Sequence, residues 1–134
     1  MPESCSVEQG KRLAKATGIG GVFLRAKDPA ALGKWYTEVL GLEKDEGGYT
    51  VLRSSGGETL TWAVFPGDTD YFGSKEQAVM VNYRVDDLDR MLDQLRAAGV
   101  PVDDHIEEHE YGRFGWAVDP EGNRLELWQP PPGQ

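Results

Sequence analysis

Leu24-Arg25-Ala26-Lys27-Asp28-Pro29 joins a strand to a helix. Before the junction, residues 19–26 alternate and are rich in branched and aromatic side chains, the pattern of a strand. Asp28 is a good helix N-cap, and Pro29 suits the first helical position, where its missing N–H would be unsatisfied anyway. Leu32, Trp35, Tyr36, Val39 and Leu40 then recur three or four apart. Gly41 offers a left-handed stop, so the spacing predicts a helix over 29–40.

Downstream, residues 49–53 and 59–65 read as two strands joined by the turn cluster Ser54-Ser55-Gly56-Gly57. A polar stretch over 66–75 reads as a connecting loop. The pattern then restarts. Residues 78–85 form a strand, Asp86-Asp87 a helix start, and Leu88, Met91, Leu92 and Leu95 an apolar stripe that Gly99 and Pro101 close. A short strand is expected over 102–106, and strands over 114–118 and 124–128. Asp119-Pro120-Glu121-Gly122-Asn123 joins the last two with strong turn chemistry, because Pro presets one φ and Gly or Asn accepts φ > 0. Leu24-Arg25-Ala26-Lys27-Asp28 aligns with Tyr83-Arg84-Val85-Asp86-Asp87 at an offset of 59 residues. The matched order of elements favours duplication over two unrelated βα units.

The chain has 134 residues, enough for one domain with a real core. Residues 1–17 are polar and are expected to be a flexible leader, with a short helical turn over 10–16; the domain is expected over 18–134, in modules of about 18–66 and 77–130. Cys5 is the single cysteine, which excludes an internal disulfide and fits a reducing cytoplasm. No His or Lys flanks it to activate the thiol, so it is expected to be inert. The net charge of -9 argues against nucleic acid and anionic lipid as partners. No apolar run reaches membrane-span length, and the leader has no secretory h-region. Gly20-Gly21 and Gly47-Gly48 lack phosphate-loop context, and no Ser-His-Asp arrangement has a nucleophile turn.

Three segments carry a family resemblance: Trp35-Tyr36-Thr37-Glu38-Val39-Leu40-Gly41-Leu42, Val85-Asp86-Asp87-Leu88-Asp89, and Asp119-Pro120-Glu121-Gly122-Asn123-Arg124-Leu125-Glu126-Leu127. Together with Tyr111-Gly112-Arg113-Phe114-Gly115-Trp116, the chain resembles the vicinal oxygen chelate superfamily of glyoxalases, bleomycin-resistance proteins and extradiol dioxygenases. The resemblance implies an α+β fold. Two βαβββ modules form a curved mixed sheet, with helices on the convex side and a ligand cup on the concave side. It also implies a homodimer, and in metal-dependent members four side chains that hold one divalent ion.

Strand alternation turns Gly21, Phe23, Arg25, Met80, Asn82, Arg84, Glu126 and Trp128 toward the cup. The family's ligand positions then fall on Gly21, on Thr61 or Trp62, on Met80 and on Glu126. Glycine has no ligand atom, and a thioether suits soft Cu(I). One carboxylate is too few for ions that take three or four protein ligands, so no metal and no other cofactor are expected. Glu126 has two readings: a ligand-binding or acid–base carboxylate, or a structural one paired with Arg25, Arg84 or Arg124. His105 and His109 lie in an acidic run; in an extended chain they would be about 13 Å apart, too far for one ion, so a solvated edge outweighs a displaced metal site.

An aromatic cup with a few polar groups suits a small molecule. The candidate contacts are Phe23, Arg25, Met80, Asn82, Arg84, Tyr111, Arg113, Trp116, Glu126 and Trp128, with Glu126 also the candidate catalytic residue. Two arginines favour an anion, whereas Glu126 and the acidic total favour a cation. Three functions remain open. The first is metal-independent binding that sequesters an aromatic or cationic compound. The second is a diverged glyoxalase- or dioxygenase-type enzyme using Glu126 with Tyr111 or Arg113. The third is a non-catalytic interaction domain.

Overall fold

The computed structural model describes residues 13–44, 49–53 and 55–133. Strands β1 (Ala16–Ala26), β2 (Thr50–Arg53), β3 (Thr59–Pro66), β4 (Val79–Val85), β5 (Glu107–His109), β6 (Gly112–Val118) and β7 (Arg124–Gln129) form one curled mixed sheet in the order β2-β3-β1-β4-β7-β6-β5. The duplication is visible in the ladder. β1 and β4 pair antiparallel at the centre, and each pairs in parallel with the strand on its other side, β3 or β7. β2 and β6 continue outward antiparallel. β5 has no counterpart among the described residues of the first half.

Helix α1 (Pro29–Trp35) starts at Asp28, whose carboxylate accepts the Ala31 N–H, and continues as a wider π turn over Tyr36–Leu40. Helix α2 (Leu88–Ala97) starts the same way at Asp87, which accepts the Arg90 N–H. The two caps occupy the expected repeat positions. The second helix is the better packed. Leu88, Met91 and Leu92 bury themselves against Val85 and Leu127, on the face opposite Glu126. The first helix touches the sheet chiefly through Tyr36 on Trp62, with ring centroids 4.6 Å apart, and leaves Trp35, Val39 and Leu40 exposed. Their expected helical spacing is present, but that stripe is not buried.

Two local expectations shift. Residues 102–106 do not form the strand; Val102 makes one bridge to Ala117, and β5 begins at Glu107. The Asp103 carboxylate accepts the His105 N–H, which diverts that donor from a ladder. The packed chain also begins earlier than residue 18. Ala14 is buried beside Leu88 and Leu92, and the Gln94 amide clamps it by donating to its carbonyl (2.8 Å) and accepting its N–H (3.1 Å). Leu13, Ala14 and Lys15 carry no helix, and the rest of the expected leader, residues 1–12, lies outside the described residues.

Candidate functional site

Glu126 sits at the middle of β7, where the register places Asn82 on one side and Trp116 on the other. All three are buried. Asn82 Nδ2 donates to Oε1 at 2.7 Å, and Trp116 Nε1 donates to Oε2 at 3.0 Å. The Tyr71 hydroxyl donates to Oε2 from the loop after β3. Burial pushes the Glu126 carboxyl above the ordinary glutamate range, and the three donors only partly offset this. Burial and the neighbouring carboxylate push the Tyr71 phenol up, so it stays a donor.

Glu126, Asn82 and Tyr71 face a cavity of about 600 Å³. Phe23, Phe65, Tyr71, Tyr111, Phe114 and Trp128 supply its aromatic walls, and Thr61, Asn82, Glu107, His109 and Glu126 its polar groups. Phe65 and Tyr71 stack at 5.5 Å and 5°, and Phe114 lies nearly parallel to Trp128 at 6.2 Å. The Trp128 indole is fixed by its N–H, which donates to the Tyr111 carbonyl at 2.8 Å. Gly20 makes room for this floor, since a Cβ there would lie 2.4 Å from Asn82 Oδ1 and 2.7 Å from the Trp128 ring. At the mouth, His105 and His109 Nε2 both reach Glu107, at 3.2 and 3.1 Å. Those contacts hold the Glu107 carboxyl below the usual range.

The structure divides the expected contact residues. Phe23, Asn82, Tyr111, Glu126 and Trp128 line the cavity; Trp116 does not, being buried behind Glu126, to which its indole N–H donates. Met80 does not line it: the strand register pairs Met80 with Phe23, and its side chain is wholly buried with Phe72. Asn82 rather than Met80 lies beside both Gly21 and Glu126: the β1–β4 register pairs it with Gly21, and the parallel β4–β7 register pairs it with Glu126. Arg25 turns away to the loop after β3. Its Nε donates to the Gln77 carbonyl, and its Nη atoms donate to those of Gly67, Thr69 and Ser74, all within 2.9 Å. Arg113 leaves the cup for the outer face, where it bonds Asp89 and Glu108. Its strand neighbour Gly115 faces Leu88 and Leu92, which puts Phe114 and Trp116 on the cup side. Arg84 lies against the Trp128 ring, 4.8 Å from its centroid, outside the cavity wall. No arginine pairs with Glu126 among the described residues; Arg124 reaches Asp103 instead.

Tyr71 is the main residue that strand alternation could not find. It comes from a segment read as a polar loop. The available signal was the pair Tyr71-Phe72, two large aromatics in a Gly- and Asp-rich connection that must be buried somewhere.

The chain matches the Glyoxalase/Bleomycin resistance protein/Dioxygenase superfamily over residues 18–127 and belongs to it. Among solved structures it is similar to a variant of Streptomyces coelicolor methylmalonyl-CoA epimerase bound to 2-nitronate-propionyl-CoA, at 16% identity and TM-score 0.66, over 88% of this chain and 97% of that one. It is also similar to methylmalonyl-CoA epimerase from Mycobacterium tuberculosis, at 23% identity and TM-score 0.60, over 87% of this chain and 90% of that one. At such identities the likeness carries the fold alone. None of the curated proteins compared with the chain matches it.

The residues here do not fit the divalent ion that the superfamily implies. Beside Glu126 stand Asn82, Trp116 and Tyr71, which all offer protons to the carboxylate; Asn82 Oδ1 keeps unused lone pairs, but one carboxylate and one amide oxygen fall short of the three or four protein ligands such ions take. Gly21 and Thr61 face each other across β1 and β3. Among the described residues no group of three or more His, Cys, Asp or Glu side chains could hold a metal, His105 and His109 included.

Proposed function

We propose that the protein is a metal-independent binding member of its superfamily that sequesters a flat, cationic or hydrogen-bond-donating aromatic small molecule. One observation carries the proposal: an aromatic cavity whose charged lining residues are the carboxylates Glu126 and Glu107, with no Lys or Arg among them. Attraction to a carboxylate and stacking on Trp128 and Phe114 act together on such a ligand. Isothermal titration with matched flat aromatic cations, neutral analogues and acids tests it. The cation should bind tightest, and equal affinity for the acid would overturn the reading. Purified protein grown with added Zn²⁺, Ni²⁺ and Mn²⁺ should carry far less than one metal per chain by elemental analysis.

A second reading rests on the raised Glu126 carboxyl beside the cavity. There Glu126 would accept a proton from a bound carbon or oxygen acid, with Tyr71 holding its orientation. Turnover of a bound ligand that Glu126→Gln abolishes would favour it over sequestration. The family resemblance also supports a homodimer, and the single cysteine a reducing cytoplasm; the edge of β2, unpaired among the described residues, and the exposed Trp35, Val39 and Leu40 are surface that a second copy would cover. Light scattering after size exclusion tests the dimer.

A further inference from the structure

Arg84 is an unusual cation. Its side chain is buried, only 3% of the residue is exposed, and neither Nε nor Nη2 has a hydrogen-bond partner. These two atoms form the side-on edge of the guanidinium, the edge that matches the two oxygens of a carboxylate or phosphoryl group. A buried charge without a partner is costly, so its retention calls for a counter-charge. Arg84 forms one wall of a second cavity of about 370 Å³, separate from the cup, with Thr17, Glu58, Asp86 and the chain over 129–133 as the other walls. Trp128 carries Arg84 on its ring and lines the cup.

Among the described residues no acid neutralises it. Asp86 Oδ1 already accepts the Lys15 N–H at 3.0 Å. Glu58 approaches the Arg84 stem beside Gly18, where a Cβ would lie 3.7 Å from Glu58 Oε1 and 3.6 Å from Arg84 Cδ, yet among the described residues Arg84 Nε and Nη2 have no partner. Nε and Nη2 are themselves enclosed, so this edge meets an anion in the cavity only when the Arg84 side chain turns from its place on the Trp128 ring.

We infer that Arg84 is the anchor of a second ligand site, one that takes a small two-oxygen anion, a carboxylate or a phosphoryl group. The site does not depend on which ligand the cup takes, although Trp128 borders both. The anion is either free or the acid group of a larger molecule, and Glu58 and Asp86 limit it to a small one by repulsion.

Thermal melts in acetate, inorganic phosphate and chloride at matched ionic strength test the inference. Acetate or phosphate should raise the melting temperature above chloride, and Arg84→Met should abolish the difference, with binding weakened by more than about tenfold. Glu58→Gln should bind the oxyanion more tightly and melt no lower without it. Identical melts in all three salts would overturn the inference. So would a lower melting temperature for Glu58→Gln in chloride, which would make Glu58 the partner of Arg84 in solution. Because the readout uses simple anions, a failure here leaves the cup's ligand preference untouched, and the reverse holds as well.

Discussion

Glu126 concentrates the chemistry of this cup, and its environment fixes what a change there does. Its native carboxyl keeps its proton to higher pH than an unfolded glutamate. As pH rises from the ordinary glutamate value through the native one, the unfolded chain releases that proton first, so stability falls across the window. Glu126→Gln should flatten this part of the pH–stability curve in denaturant titrations and weaken cation binding, while the fold persists. Glu107 has the opposite sign. Its carboxyl is held low, so its contribution is present above the ordinary value and is lost as acid brings the pH down through the native one. Arg113→Met makes a useful control. Its ion pairs are at the surface, so the change should cost less than about 1 kcal/mol and leave cup binding unaltered.

At the scale of elements, the connection between β3 and β4 does what its polar composition hides. Arg25, on β1, gathers four backbone carbonyls of that segment and so seats Tyr71 on Glu126 and Phe72 in the core. Arg25→Met should cost roughly 2–4 kcal/mol, speed amide exchange over 67–77, and lower affinity for the cup's ligand by loosening Tyr71. The start of β6 is equally constrained. Gly112 has φ +129°, and a Cβ there would lie 2.3 Å from Trp128 Nε1 and 2.6 Å from the Gln129 carbonyl oxygen. Gly112→Ala should therefore destabilise by on the order of 2–4 kcal/mol and disturb the Trp128 wall, visible as a fluorescence change.

For the whole molecule, stability is uneven between the halves. The second helix seals a cluster of Leu88, Met91, Leu92 and Leu127, so Leu92→Ala should cost about 2–5 kcal/mol by chemical denaturation. The first helix buries only Gly33 and leaves an apolar face uncovered. The duplication, both N-caps, the final turn and the cup-facing direction of Asn82, Glu126 and Trp128 were legible in the sequence. Each is set by a local rule: side-chain alternation, a capping carboxylate, or the φ that Pro and Gly allow. The partners of those residues were not legible. The parallel register of β4 on β7 made Asn82 rather than Met80 the neighbour of Glu126 and set Arg84 beside Trp128, while Arg25 found its partners in the loop after β3. Tyr71 reaches Glu126 across 55 residues of chain. Local sequence dictates which face a side chain takes, because that depends on the backbone within a few residues. Which group it meets there depends on register and on long connections, and these are decided only when the two halves close around one core.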